Sequence, residues 1–150
     1  MATGDIQIFR IKQNRQLELP PLNSIWSADG YCFEIWHDQW EILIAFAKKE
    51  FPEKVKLIQL TEENKDNNQE TEIHLSETQT VQVLEFLPLL EAKIRKSPIQ
   101  LHDQFAEMTE LEFDNEQYAD MVNCVSYVIR ESAKHQQPFE AWKEIKWRFD

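Results

Sequence analysis

Glycine is nearly absent: Gly4 and Gly30 are the only two in 150 residues. A phosphate-cradling loop of the P-loop or dinucleotide type needs several glycines to bring the backbone against the anion, so neither can be written here. No glycine-flanked serine elbow occurs, and with it goes the usual local signature of a nucleophilic enzyme. Cysteine is equally scarce. Cys32 and Cys124 stand far apart in the chain, too few for a disulfide framework and without the paired spacing of a zinc site. They read as free, buried thiols, and a thiol site would require folding to bring one of them to His37, His74, His102 or His135. No apolar run approaches the roughly 18–20 residues of a membrane span. Residues 1–5 lack the basic-then-apolar opening of a secretory signal, which makes the cytoplasm the default location.

Positive charge is the remaining shortage. Sixteen Lys and Arg against 27 Asp and Glu give a formal net charge of −11. That field repels phosphate polymers and anionic membranes, so a nucleic-acid or membrane partner is disfavoured. The imbalance is local. Between Lys96 and Arg130 there is no Lys or Arg, whereas Asp103, Glu107, Glu110, Glu112, Asp114, Glu116 and Asp120 all fall there. A strongly negative face in this region fits a protein partner with a basic surface. Asp103 with Glu107, or Glu107 with Glu110, would be neighbours on a helix, but a catalytic pair needs burial to separate its proton affinities, and this stretch predicts exposure.

What is present is an ordinary globular composition, 42% apolar and 29% charged, at the length of one average domain. Neither an internal repeat nor a second-domain boundary is visible, so residues 1–150 read as a single α+β domain, strand-rich over 1–75 and helix-rich over 76–150. Ile6 and Ile8 share one parity and Phe9 and Ile11 the other, as in a bulged or two-sided strand. Residues 24–28 and 31–37 flank Asp29-Gly30, the dipeptide of a two-residue hairpin turn. Residues 40–51 fit two periods. Trp40, Ile42, Ile44 and Phe46 alternate as a strand would, whereas Trp40, Leu43, Ile44, Ala47 and Phe51 follow helical spacing behind a possible Asp38-x-x-Glu41 capping box, with Pro52 as a stop. The strand reading continues an antiparallel meander into residues 54–61.

Residues 62–70 carry almost no apolar surface and read as a surface loop. A short strand over 71–75 precedes Ser76, which with Gln79 forms a capping box for a helix carrying Val83, Leu87, Leu90 and Ile94 on one face. Pro88 inside it predicts a kink or a restart. Residues 98–113 are weakly patterned. Asp114 and Gln117 cap a further helix to about Lys134, with Tyr118, Met121, Val122, Val125, Val128 and Ile129 on its apolar side. Pro138 opens a last helix, in which Phe139, Trp142, Ile145 and Phe149 share one side. Strands first and helices afterwards predict an antiparallel sheet from the N-terminal half packed against helices from the C-terminal half.

Candidate sites are few. Glu131 and His135 lie one helical turn apart but lack further ligands, so neither a metal nor another cofactor is expected. Trp142 and Trp147 sit among Lys143, Lys146 and Arg148, a basic and aromatic island that either docks on the body or forms a recognition helix for another protein. Tyr31, Phe33, Trp36 and Trp40 would make an aromatic row on the sheet, able to stack single-stranded nucleic acid if it faces solvent and serving as core if it does not. Strands ending at 72–75 and followed by a Ser76-capped helix resemble the order of whirly-type single-stranded-DNA-binding domains over about half of the chain. That resemblance is one of topology alone, and no basic strand face accompanies it. The reading the residues favour is a non-enzymatic acidic interaction module of the adaptor, inhibitor or immunity type. Its expected contacts are Glu107, Glu110, Glu112, Asp114 and Glu116, with Trp142 and Trp147. The alternative is a single-stranded nucleic-acid-binding domain using Tyr31, Phe33, Trp36 and Trp40.

Overall fold

A computed structural model describes residues 2–11, 24–28, 32–59, 72–73, 75–109, 111–136 and 139–148. The strands are β1 (Ala2–Ile11), β2 (Ser27–Ala28), β3 (Cys32–Trp36), β4 (Glu72–Ile73) and β5 (Phe139–Arg148). The helices are α1 (His37–Glu50), α2 (Glu77–Lys96), the single turn α3 (Leu101–Gln104) and α4 (Asn115–Lys134). All pairings are antiparallel, and the strand order is β2-β3-β1-β5-β4. The fold is α+β, with α4 lying on the sheet and α2 on α4.

Strand β1 is two-sided and has no bulge, since it pairs residue for residue with β5 from Ala2↔Arg148 to Ile11↔Phe139. On one face, Phe9 and Ile11 join Phe33, Ile35 and Ala141 in the main core, with Phe9 and Trp40 rings 5.0 Å apart. On the other, Ile6 and Ile8 form a second small cluster with Trp36. The hairpin β2–β3 forms where expected. Its register, Ala28↔Cys32, leaves residues 29–31 between the strands, one more than a two-residue turn; those residues lie outside the described set.

Three expectations are corrected. Residues 37–50 are helix α1 rather than a strand, and the chain enters it directly from β3: Trp36 is the N-cap position, without a side-chain cap, so the Asp38-x-x-Glu41 box is not used. Seven of its residues are buried, Gln39, Trp40, Ile42, Leu43, Ile44, Phe46 and Ala47. Its outward stripe, Asp38, Glu41, Lys48 and Lys49 with Ala45 among them, is narrow, so the alternation of Trp40, Ile42, Ile44 and Phe46 fitted equally well. The meander therefore stops at β3, and Val55–Ile58 forms a 3-10 turn instead of a strand.

The third correction is the end of the chain. The expected last helix is strand β5, placed in the sheet between β1 and β4. In the sequence of β5, one alternate set is Phe139, Ala141, Lys143, Ile145 and Trp147, and the other Glu140, Trp142, Glu144, Lys146 and Arg148. Neither set is uniformly apolar, so period two is hidden and the chance spacing of Phe139, Trp142 and Ile145 mimics a helix. Because α1 interrupts the early strands and β5 completes the sheet from the far end, the whirly-type strand order is not found.

The two later helices follow their caps. Gln79 N–H donates to Ser76 Oγ (3.1 Å) and Ser76 N–H to Gln79 Oε1 (2.9 Å). Asp114 and Gln117 exchange the same pair of bonds at 2.8 and 2.9 Å. Helix α2 runs unbroken through Pro88, whose ring faces outward. The loop expected at 62–70 lies outside the described residues.

Candidate protein-interaction surface

The acidic stretch is the connection from α2 to α4, and its backbone is pinned from within. Asn115, buried at the start of α4, accepts from Leu101 N–H through Oδ1 (2.7 Å) and donates from Nδ2 to the Ile99 carbonyl (3.3 Å). Its own N–H donates to Gln100 Oε1 (2.9 Å). Gln104 Nε2 donates to the Ile99 carbonyl (2.9 Å) and Ser97 Oγ (3.3 Å). Farther along, the buried Gln39 of α1 donates from Nε2 to Thr109 Oγ1 (2.9 Å), which also accepts from Leu111 N–H (3.1 Å). Uncharged amides and hydroxyls thus fix the path, and Leu101 seals it against the core.

The carboxylates stand outside this network. Asp103, Glu107 and Glu112 are exposed, and Glu112 lies 3.6 Å from His102 Nε2. Asp114 is committed to its cap, and Glu116 pairs with Arg95, which also meets Glu91 at 3.5 Å. Asp120 faces inward and accepts from Ser24 Oγ at 2.5 Å. Glu110 lies outside the described residues. Of the sequence-selected acidic residues, Glu107 and Glu112 therefore remain as outward charges with Asp103 between α2 and α4, while Asp114 and Glu116 have structural duties.

The aromatic candidates separate. Phe33 and Trp40 are 2% and 3% exposed in the main core, whereas Trp36 packs on the opposite face with Ile6 and Ile8. Tyr31 lies outside the described residues, and the backbones of Trp142 and Trp147 pair with Ile8 and Thr3 in the β1–β5 ladder. A single outward row over Tyr31, Phe33, Trp36 and Trp40 is therefore not formed: the alternation of β3 sends Phe33 and Trp36 to opposite faces, and Trp40 belongs to α1.

The titratable groups elsewhere are held in structural roles. Cys124 meets Ser24 rather than an imidazole, its thiol donating to Ser24 Oγ at 3.3 Å. Ser24 Oγ also accepts from Trp26 N–H (3.1 Å), and Trp26 Nε1 donates to the Gln117 carbonyl (3.0 Å), so the cluster ties the approach to β2 onto α4. His37 joins β1 to α1, with Nδ1 2.6 Å from Gln7 Nε2 and Nε2 3.3 Å from Glu41. Glu131 and His135 stand 3.9 Å apart on α4. Among the described residues no three His, Cys, Asp or Glu side chains converge as metal ligands, and no helix is long and apolar enough to cross a membrane.

Burial pushes the Cys124 thiol from 9.0 up to about 12 and the Tyr118 phenol from 10.0 up to about 12. Both keep their protons in the folded chain at pH values where the unfolded chain releases them, so stability falls as pH rises. The loss begins near pH 9, the ordinary thiol value, and is complete by about pH 12. Urea midpoints measured at pH 8 and pH 10.5 should show it, and Cys124→Ala should flatten the earlier part of the decline. Among the described residues the Tyr118 hydroxyl has no hydrogen-bond partner. Tyr118→Phe should therefore flatten the later part and raise stability at neutral pH by about 1 kcal/mol.

Comparison with protein-family models, curated proteins and solved structures finds no match to this chain. The internal network was not visible in the sequence: Gln39, Gln100, Thr109 and Asn115 form no local motif, and only the fold brings them together.

Proposed function

We propose that this chain is a non-enzymatic interaction module of the adaptor, inhibitor or immunity type, acting in the cytoplasm on a protein partner with a basic surface. The observation that carries the reading is the segment between α2 and α4, in which neutral side chains fix the backbone while Asp103, Glu107 and Glu112 project outward. A charged surface whose backbone is already ordered loses little conformational entropy on binding, which favours recognition by charge. Its potential would steer a cationic partner and repel nucleic acid. The aromatic candidates give the nucleic-acid alternative no support, with Phe33 and Trp40 in the core.

The test is affinity purification from the native host with the wild-type chain and with Asp103→Lys/Glu107→Lys/Glu112→Lys, followed by mass identification. A partner with a basic surface should be retained by the wild type and weakened at least tenfold, about 1.4 kcal/mol, by the triple reversal. Retention should also fall between about 0.05 and 0.5 M salt, as exposed charges are screened. Partners bound equally by both chains, or only polyanionic partners, would overturn the reading. The reversal leaves Asp114 and Glu116 in place, so helix capping is unaffected.

A further inference from the structure

Helix α2 buries one face against α4 through Val83, Phe86, Leu87, Leu90 and Ile94. Its opposite face is unusually apolar for solvent. Val81 and Leu89 are 52% exposed, Pro88 is exposed between them, and Ile99, just beyond the helix end, is 54% exposed. Among the described residues only Ile25 and Leu111 are other large apolar side chains so placed. This surface meets the acidic connection only at Ile99, and it includes none of Asp103, Glu107 and Glu112, so it does not depend on their proposed role.

The charges along that face are ordered. Glu77 and Glu85 occupy the first half of the helix, Lys93 and Lys96 the second. Glu91 and Arg95 are taken up by each other and by Glu116. The helix dipole favours acid at the first turn and base at the last, but its effect fades within a turn and does not reach Glu85. At spacings of four, Glu85, Leu89 and Lys93 share one stripe, and Gln82 and Lys96 lie on the same side.

Such a stripe complements itself when reversed. About a two-fold axis at Leu89, an antiparallel copy sets Leu89 on Leu89 and places Glu85 of each chain opposite Lys93 of the other. Gln82 then faces Lys96. The parallel arrangement sets like charge on like and is excluded by repulsion. A wholly basic partner would meet Lys93 and Lys96, and a wholly acidic one Glu77 and Glu85, so the occupant that fits both halves is a second copy of the chain. We propose that the protein self-associates through the outer face of α2, two copies packing antiparallel about a two-fold axis at Leu89. Two-fold contacts of this kind are isologous and closed, which limits assembly to a dimer. One helix from each side falls short of the roughly 1,200 Å² that stable complexes bury, so dissociation constants of about 10–100 µM are expected.

Sedimentation velocity of the full chain from about 5 to 500 µM tests this range directly. The wild type should shift from monomer to dimer. Glu85→Lys and Lys93→Glu should each weaken dimerisation at least tenfold, and the two together should restore it, a recovery that nonspecific association does not produce. Leu89→Cys should give a disulfide-linked dimer under mild oxidation that wild type, with its native cysteines, does not. A chain that stays monomeric throughout overturns the proposal. So does a dimer indifferent to Glu85→Lys, or one that the charge exchange fails to restore. All substitutions lie on the exposed face, and an unchanged urea midpoint at monomeric concentration confirms that each variant is folded.

Discussion

A chain ending at Gln136 is expected to lose cooperative folding. Strand β5 pairs with β1 over its full length and with β4 on its other side, so removing it turns β1 into an edge and takes Ala141 from beside Phe9 in the core. It also removes Glu140, the buried partner of Arg10. The hydrogen-bonding groups that β1 offers to β5 would become a template for other strands, the usual route from an open edge to aggregation. Urea unfolding followed by tryptophan fluorescence reads this out, with Trp26 and Trp40 buried in the intact core. The full chain should show one sigmoidal transition and the shortened chain a shallow, gradual drift. An unchanged midpoint in the shortened chain would mean that the final segment is a dispensable appendage, as a docked helix could be.

The next largest effect is expected at Glu140. It is 1% exposed, and its Oε2 receives Arg10 Nε at 3.2 Å and a second guanidinium nitrogen at 3.1 Å. The Glu140 carboxylate is held out of water at a desolvation cost that the guanidinium of Arg10, itself 21% exposed, helps to offset. Glu140→Leu removes two charge-assisted hydrogen bonds and should therefore destabilise the chain by about 2–3 kcal/mol. Against a total stability of about 5–15 kcal/mol, that loss is a large shift in the denaturation midpoint. Glu140→Gln keeps an oxygen for Arg10 and should lose clearly less. Chemical denaturation of the three chains at one pH decides the matter, and a Leu variant as stable as wild type would show that the pair contributes specificity without stability.

Local signals were reliable at the two long helices, where the chain supplied both capping partners, though not at Asp38 and Glu41. The boxes Ser76/Gln79 and Asp114/Gln117 start their helices at the expected positions, and the apolar stripe from Tyr118 to Ile129 defines α4. The β2–β3 hairpin and the α+β character were legible as well. Failures occurred where distant chain decides. Broad burial left α1 only a narrow polar stripe against a strand-like alternation, and β5 became a strand because β1 provides a ladder that no window around residues 139–148 contains. The acidic surface was partly legible: composition located it and the capping pattern set Asp114 apart, but only the fold shows that Glu116 pairs with Arg95 while Asp103, Glu107 and Glu112 remain outward. The chemistry of Cys124 was read correctly as that of a buried thiol, although its partner Ser24, 100 positions away, has no sequence signature.

The β1–β5 ladder also fixes the order of events as the protein is made. Its partners are far apart in sequence throughout, 130 positions in the pair Arg10 and Glu140 and more toward Ala2↔Arg148. Translation at about 5–20 residues per second thus holds β1 outside the ribosome for on the order of 10 s before its neighbour is synthesised. During that interval Ile6, Ile8, Phe9 and Ile11 have no sheet to enter on that side, and the nascent chain depends on the β3 hairpin or on a chaperone to shield them. Slow codons ahead of residue 139 should lengthen this vulnerable period and lower the yield of native protein without altering a single amino acid.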